Sequence, residues 1–215
     1  MSTDARPRKR LTAEQRRAAI LSAALAVFAE GGYHTSSIDD IARAAGISKA
    51  LIYEHFASKQ ELYASLLDQE ADELFARLAS AVAGVEESGA PRLETGLDAF
   101  FGFVEERREA WRMLFRENSD REAAARLDRV VAQVTEVVAA LIAQDPGSRA
   151  VDVDDAQRGQ AIRMLAQLLV GSVQSIANWW DDHRDVPRER VVEVVMDFAW
   201  VGLEGLTRGD RWSAR

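Results

Sequence analysis

The 215 residues are expected to fold as an all-α chain, and three observations carry that expectation. Apolar residues recur at three- and four-residue steps through nearly every segment, as they do along one face of a helix. No segment sustains the alternation of a half-buried strand. The four prolines fall almost wholly in loops or at helix starts, where a fixed φ and a missing N–H are tolerated.

Thr12, with Gln15 three residues on, carries the signature of a capping box and opens a first helix to about Glu30, striped by Ile20, Leu21, Ala24, Leu25 and Phe28. The stretch from Ser37 to Lys59 then packs two short patterns around Gly46. Ile38, Ile41, Ala42 and Ala45 share one helical face, Gly46 suits a left-handed helix end, and Ile47 turns back toward the core. Ser48 is suited to cap a second helix of about two turns, in which Ile52 and Phe56 face inward. This is the spacing of a helix-turn-helix. Lys49, Ala50, Tyr53 and Glu54 are left on its outer face, and a short helix bearing a lysine at its start suits a DNA major groove. The same hairpin also suits docking on another protein, as a helical adaptor with no DNA role.

Ser58 with Glu61 repeats the capping signature, and Leu62, Leu66, Leu67, Ala71, Leu74, Phe75, Leu78 and Val82 carry one long helix to about Gly84. The loop from Glu86 to Pro91 breaks it. Further helices are expected at about 92–106, 108–118, 121–143, 154–182 and 187–208, with Asp145-Pro-Gly-Ser as a loop. The expected order is a basic arm over 1–10, a three-helix DNA-binding head over 11–57, a helical ligand-binding and dimerisation body over 58–208 and a tail over 209–215.

The run GISKALIYEHFASK from Gly46 to Lys59 resembles the recognition segment of the TetR family of bacterial transcriptional regulators. Upstream, Glu30-Gly31-Gly32-Tyr33 and Thr35-Ser36-Ser37 stand in the order that family shows before its second helix, so the resemblance extends from Arg16 to about Leu66. It implies that Ser37, Lys49, Ala50, Tyr53, His55 and Lys59 face DNA, with Tyr53 and Lys59 on phosphates and Lys49 and Ala50 nearest the bases. Phosphate contacts set register; base contacts set sequence preference. A lysine donates to guanine O6 and N7, and an alanine methyl touches the thymine methyl. His55 is as well suited to packing between helices beside Phe56. Leu51 departs from the family pattern, standing where many members carry threonine or serine, so an operator sequence does not transfer from relatives.

Charge divides at the same place. The net charge is −8, yet residues 1–63 hold nine Lys and Arg against seven Asp and Glu, while the other 152 hold 18 against 28. A mildly basic head attracts phosphate, and an acidic body resists nonspecific binding. Arg6-Pro-Arg-Lys-Arg10 suits either a solubilising tail or an arm reaching the neighbouring minor groove or backbone. Cysteine is absent, which excludes disulfides and thiolate metal sites. No basic segment followed by an apolar run opens the chain, and no apolar run reaches the length of a bilayer span, so a cytoplasmic protein is expected.

Enzyme chemistry finds no footing. His34, His55 and His183 are far apart, no phosphate-binding glycine run or nucleophile elbow occurs, and Asp152-Val-Asp-Asp155 lacks the glycine and distant glutamate of a calcium loop. No metal or other cofactor is expected.

The last two helices are expected to form a homodimer. Ile162, Leu165, Leu169, Val173 and Ile176 make one stripe, and Val191, Val194, Val195, Phe198, Val201 and Leu206 another. Leu168, Val170, Val192 and Leu203 add apolar residues outside those stripes, so each helix is read as burying a core face and a partner face. Leu169, Val173, Val194, Phe198 and Val201 are the candidate seam. Two heads related by symmetry read a palindromic double-stranded operator with half-sites roughly 34–36 Å apart. Phe100, Phe101, Phe103, Trp111, Met113, Leu114 and Phe115 crowd the middle of the chain and are mostly core. The resemblance implies an effector cavity here, for which Phe100, Phe103, Trp111, Leu114 and Phe115, with Gln167, Gly171 and Gln174, are the candidate lining. A small apolar or amphipathic effector that releases a repressor from DNA is the expected ligand. Trp179 and Trp180 are expected to anchor a helix end against the body.

Overall fold

Side-chain caps start the first three helices. Thr12 accepts from the Gln15 N–H, and the Gln15 side chain accepts from the Thr12 N–H, each at 3.1 Å, so the expected capping box closes and α1 (Ala13–Thr35) begins. α1 continues past Glu30 and kinks at Gly32, whose φ of 74° glycine alone adopts freely. Ser36 secures the kink, its hydroxyl donating to the carbonyls of Val27 and Gly32. A second capping box, Ser37 with Asp40, opens α2 (Ile38–Ala45). Gly46 ends that helix at φ 65° and ψ 33°. The N–H groups of Gly46 and Ile47 bond back to Arg43 and Ala42 at 3.2 and 3.0 Å, which satisfies the last carbonyls of α2. Ser48 then caps α3 (Lys49–Tyr53) by accepting from the Leu51 N–H. This helix is shorter than the two turns expected, because the chain passes into a turn at Glu54 and His55 before Phe56 enters the core.

The computed structural model describes residues 12–86, 89–115, 121–144 and 155–207, all helical or in the connections between helices. After α3 come α4 (Lys59–Ala83), α5 (Ala90–Glu106), α6 (Arg108–Phe115), α7 (Arg121–Gln144), α8 (Asp155–Asp182) and α9 (Arg188–Thr207). The all-α expectation holds, and among the described residues no helix is long and apolar enough to cross a membrane. The basic segment from Arg6 to Arg10, the Asp145–Ser148 loop and residues 152–154 of the acidic stretch lie outside the described residues.

The chain divides into two compact units, one ending at Asp68 and one beginning at Gln69. In the first, Ile20, Leu21, Ala24 and Phe28 of α1 share a core with Ile41, Ile52, Phe56 and, from α4, Leu62, Tyr63 and Leu66. The Phe28 and Tyr63 rings meet edge to face at 5.0 Å. The head therefore extends beyond the boundary at 57 expected from sequence, since its core is completed by the opening turns of α4.

The second unit builds its core from Leu97, Phe101 and Val104 of α5, Trp111 of α6, Val173, Ala177 and Trp180 of α8 and Val191, Val192 and Val195 of α9. Two fully buried carboxylates bind its helices together. Glu70 of α4 takes a forked pair from Arg107, at the break between α5 and α6. Asp181 of α8 accepts from Arg108 and Arg112 at 2.6 Å and from Arg184 at 2.8 Å. Of the two tryptophans expected to anchor the end of α8, Trp180 does so, its indole donating to the Val186 carbonyl at 2.8 Å. Trp179 faces outward instead and stacks on His183, because adjacent helical residues point about 100° apart.

Candidate nucleic-acid interface and ligand cavity

On the outer face of α3, Lys49, Ala50 and Tyr53 are all exposed, while Ile52 on the opposite side is buried. Lys49 Nζ donates to Asp39 Oδ2 at 2.9 Å, and this hydrogen bond raises the lysine pKa. Ser37 is half-buried and its hydroxyl belongs to the α2 cap, where its hydrogen bonds hold the Asp40 carboxyl below the usual range. His55 is half-buried beside the turn that follows α3. Lys59 Nζ donates to the Ser36 carbonyl at 2.7 Å and lies 4.3 Å above the Tyr33 ring. Burial there lowers its pKa. The sequence motif thus converges on one short helix, with Ser37 and Lys59 folded into the corner between α1 and α2.

The second unit holds a cavity of about 680 Å³, within the range of small-molecule sites. Phe100, Trp111, Phe115 and Gln174 line it, as expected. Four other candidates do not. Phe103 and Leu114 are packed into the protein, Phe103 beneath the Arg77 guanidinium, while Gln167 and Gly171 are exposed. The expectation placed aromatics by their density in the sequence, whereas tertiary packing decides which of them meets the void: Phe100 lines it, and Phe103, three residues on, is closed off by its neighbours. Much of the lining comes from residues not anticipated: Leu74, Phe75, Leu78 and Val82 of α4, and Val130, Val134, Val138 and Leu141 of α7. Their signal was the apolar stripe of each helix, which does not distinguish a cavity wall from a solid core.

Trp111 is held in the wall by donating its indole N–H to Asn178 Oδ1 at 3.1 Å, and Phe115 stacks on it at 4.0 Å. The polar lining is sparse. Arg92 contributes a guanidinium whose Nη2 donates to the Val85 carbonyl at 2.9 Å, while its buried Nε has no hydrogen-bond partner. Among the described residues no cluster of His, Asp or Glu is arranged to hold a metal ion.

The candidate seam also divides. Leu169 and Val173, read from sequence as seam residues, turn inward, packing on the core and lining the cavity. Val194 and Phe198 face outward, Phe198 being 72% exposed, and the Val201 side chain lies outside the described residues. Met164, Leu168 and Trp179 also stand exposed at helical spacing on α8. Leu168, at 69% exposure, had signalled this second face by lying one position off the main stripe.

Family models cover both units: bacterial regulatory proteins of the tetR family match residues 20–66, and the tetracyclin repressor-like C-terminal domain matches 89–202. The HTH-type transcriptional activator FasR of Mycolicibacterium smegmatis is 34% identical over 197 residues, spanning 90% of this chain and 85% of its own. A TetR-like transcriptional regulator from Rhodococcus sp. RHA1 superposes with a TM-score of 0.76 at 26% identity, covering 91% of this chain and 100% of that one. The fold is shared too by the regulator FadR from Bacillus subtilis, solved in complex with stearoyl-CoA, with a TM-score of 0.73, 18% identity and coverage of 86% and 98%. With a recognition helix in its first unit and a family-matched helical body in its second, this chain belongs to the TetR family of DNA-binding transcriptional regulators.

Proposed function

We propose that the protein is a homodimeric, cytoplasmic regulator that binds a palindromic operator and leaves it when an apolar or amphipathic effector enters the body. The observation that carries the effector reading is the continuity of α4. Its opening turns supply Leu62, Tyr63 and Leu66 to the core of the head, and its later turns supply Leu74, Phe75 and Leu78 to the wall of the cavity. A ligand that displaces the cavity wall therefore acts on the helix that completes the DNA-binding unit. Release requires the effector to favour the DNA-incompetent state, and a hundredfold preference corresponds to about 2.7 kcal/mol, exerted equally on operator affinity by linkage.

Valines and aromatics would take the apolar part of the effector, and Arg92 would orient a polar or anionic head group. The stearoyl-CoA bound by FadR is an amphipathic molecule of that kind. The exposed apolar residues Leu168, Val194 and Phe198 support a dimer seam between α8 and α9 and their symmetry mates. In the head, Lys49 and Ala50 read bases, Tyr53 binds phosphate, and Ser37 and His55 flank them. Lys59 reaches phosphate by leaving the Ser36 carbonyl. Where the operator overlaps a promoter such a dimer represses by exclusion; release has the opposite sign where the operator lies upstream, and FasR is named an activator.

Thermal shift and operator-release assays with stearate, stearoyl-CoA and stearyl alcohol test this reading. At least one probe should both stabilise the protein and weaken operator binding, and Val134→Phe, which fills the cavity, should abolish both effects while unliganded operator binding survives. Stabilisation by a probe with unchanged operator affinity would refute coupling through α4.

A further inference from the structure

Two opposite charges meet on the outward face of the head. Lys49, the first residue of α3, has its Nζ 2.9 Å from Oδ2 of Asp39, which lies in the first turn of α2. Their side chains are 48% and 61% exposed, so folding gains little from the pair. Nor does α2 need Asp39 as its cap, because Asp40 completes the capping box with Ser37. A carboxylate on a face that meets DNA is repelled by the phosphates unless a base offers it a donor. On a DNA-facing surface the carboxylate of Asp39 is therefore best accommodated beside a base that offers it a donor.

The major groove supplies such a partner. A G·C pair presents guanine N7 and O6, both acceptors, beside the N4 amino donor of cytosine. An ammonium and a carboxylate held in contact offer a donor beside an acceptor. The ammonium meets the two adjacent guanine acceptors, and the carboxylate meets the cytosine amino group next to them. An A·T pair sets its donor between two acceptors and crowds the edge with the thymine methyl, so the same two side chains match it less well. We propose that Asp39 is a specificity-determining residue that works jointly with Lys49, the two reading one G·C pair in each half-site: Lys49 on guanine O6 and N7, Asp39 on cytosine N4. This rests on the base-reading role of Lys49 proposed above, and adds a residue from a different helix. Lys49 also neutralises the carboxylate as both leave water.

The test is selection of operators from a randomised duplex pool by the full-length protein and its Lys49→Ala and Asp39→Ala variants, followed by competition titrations at one salt concentration. The selected half-site should contain a G·C pair at a position where each variant loses about tenfold discrimination. Helical signal and melting temperature should be unchanged by Asp39→Ala, and Asp39→Ser replaces it in the assay should that variant fail to fold. If Lys49→Ala relaxes a position and Asp39→Ala only raises affinity for every sequence evenly, Asp39 is a general repeller of DNA and the proposal falls. An Asp39→Ala protein with wild-type preference and affinity overturns it equally. If Lys49→Ala leaves the selected motif intact, the base-reading assignment of Lys49 fails, and the joint reading falls with it.

Discussion

The two units differ in the charge they bury. In the head, the pairs Lys49–Asp39 and Arg43–Asp40 lie at the surface, with side chains 40–76% exposed. In the body, the carboxylates of Glu70 and Asp181 are wholly buried beneath arginines that remain partly accessible. Exposed pairs contribute about 0–1 kcal/mol and exchange partners readily. Breaking a buried pair by removing one member costs about 3–5 kcal/mol, because the other charge stays behind without compensation. The head's pairs are therefore readily broken, while the two buried carboxylates of the body tie its helices together.

The largest effect should come from Arg107→Ala, which leaves Glu70 buried without its forked partner. Its unfolding midpoint in urea should reflect a loss of about 3–5 kcal/mol, whereas Lys49→Ala should cost less than about 1 kcal/mol. Equal losses would erase the contrast between the units.

Assembly sharpens the comparison from the apolar side. Phe198→Arg places a charge on the exposed face of α9, and desolvating it without a partner costs several kcal/mol in a dimer. Sedimentation should show a folded particle near the chain mass of 23.8 kDa with weakened operator binding. A dimer unchanged by the substitution would place the seam elsewhere.

A smaller effect is expected at Tyr53. Tyr53→Phe removes one neutral hydroxyl, so affinity for all DNA sequences should fall by about 0.5–1.5 kcal/mol with an unchanged salt slope. Titration against operator and unrelated duplex checks this, and a loss confined to the operator would assign Tyr53 to base reading.

The smallest effect concerns pH. Asp40 is held below its ordinary pKa chiefly by the Ser37 hydroxyl. A depressed carboxylate pKa stabilises the folded state above the ordinary value of about 4, and that contribution is lost as pH falls through the folded-state value. The melting-temperature gap between the wild type and Asp40→Asn should therefore be fully open at neutral pH and close under acid. A gap that widens on acidification would contradict the assigned cause.

Most of the head was legible because local chemistry dictates it: Thr12 with Gln15, Gly46 and Ser48 each act within a few residues. Helix limits in the body were legible from the apolar period and the breaks in it. The walls of the cavity were not, since the apolar period of α4 and α7 states that a face is buried without stating whether another side chain or a void lies opposite. The orientation of α8 shows the same limit. Val173 and Leu168 are equally apolar in sequence, yet tertiary packing buries the first to 7% and leaves the second at 69%. The hydrogen bond of Lys59 was not legible for another reason: its partner, the Ser36 carbonyl, is 23 residues away.

The way α4 is shared determines where this protein can be cut and rejoined. Leu62, Tyr63, Leu66 and Leu67 are buried, and Leu66 lies on the head side of the division at Asp68, while Glu70 is already clamped by Arg107. A chimera that carries this reading head on the body of another regulator should be spliced inside the helix, between Leu67 and Glu70, in unbroken helical phase. A splice at residue 57, where the recognition motif ends, would strip the transplanted head of Leu62, Tyr63 and Leu66, which complete the core beneath its recognition helix.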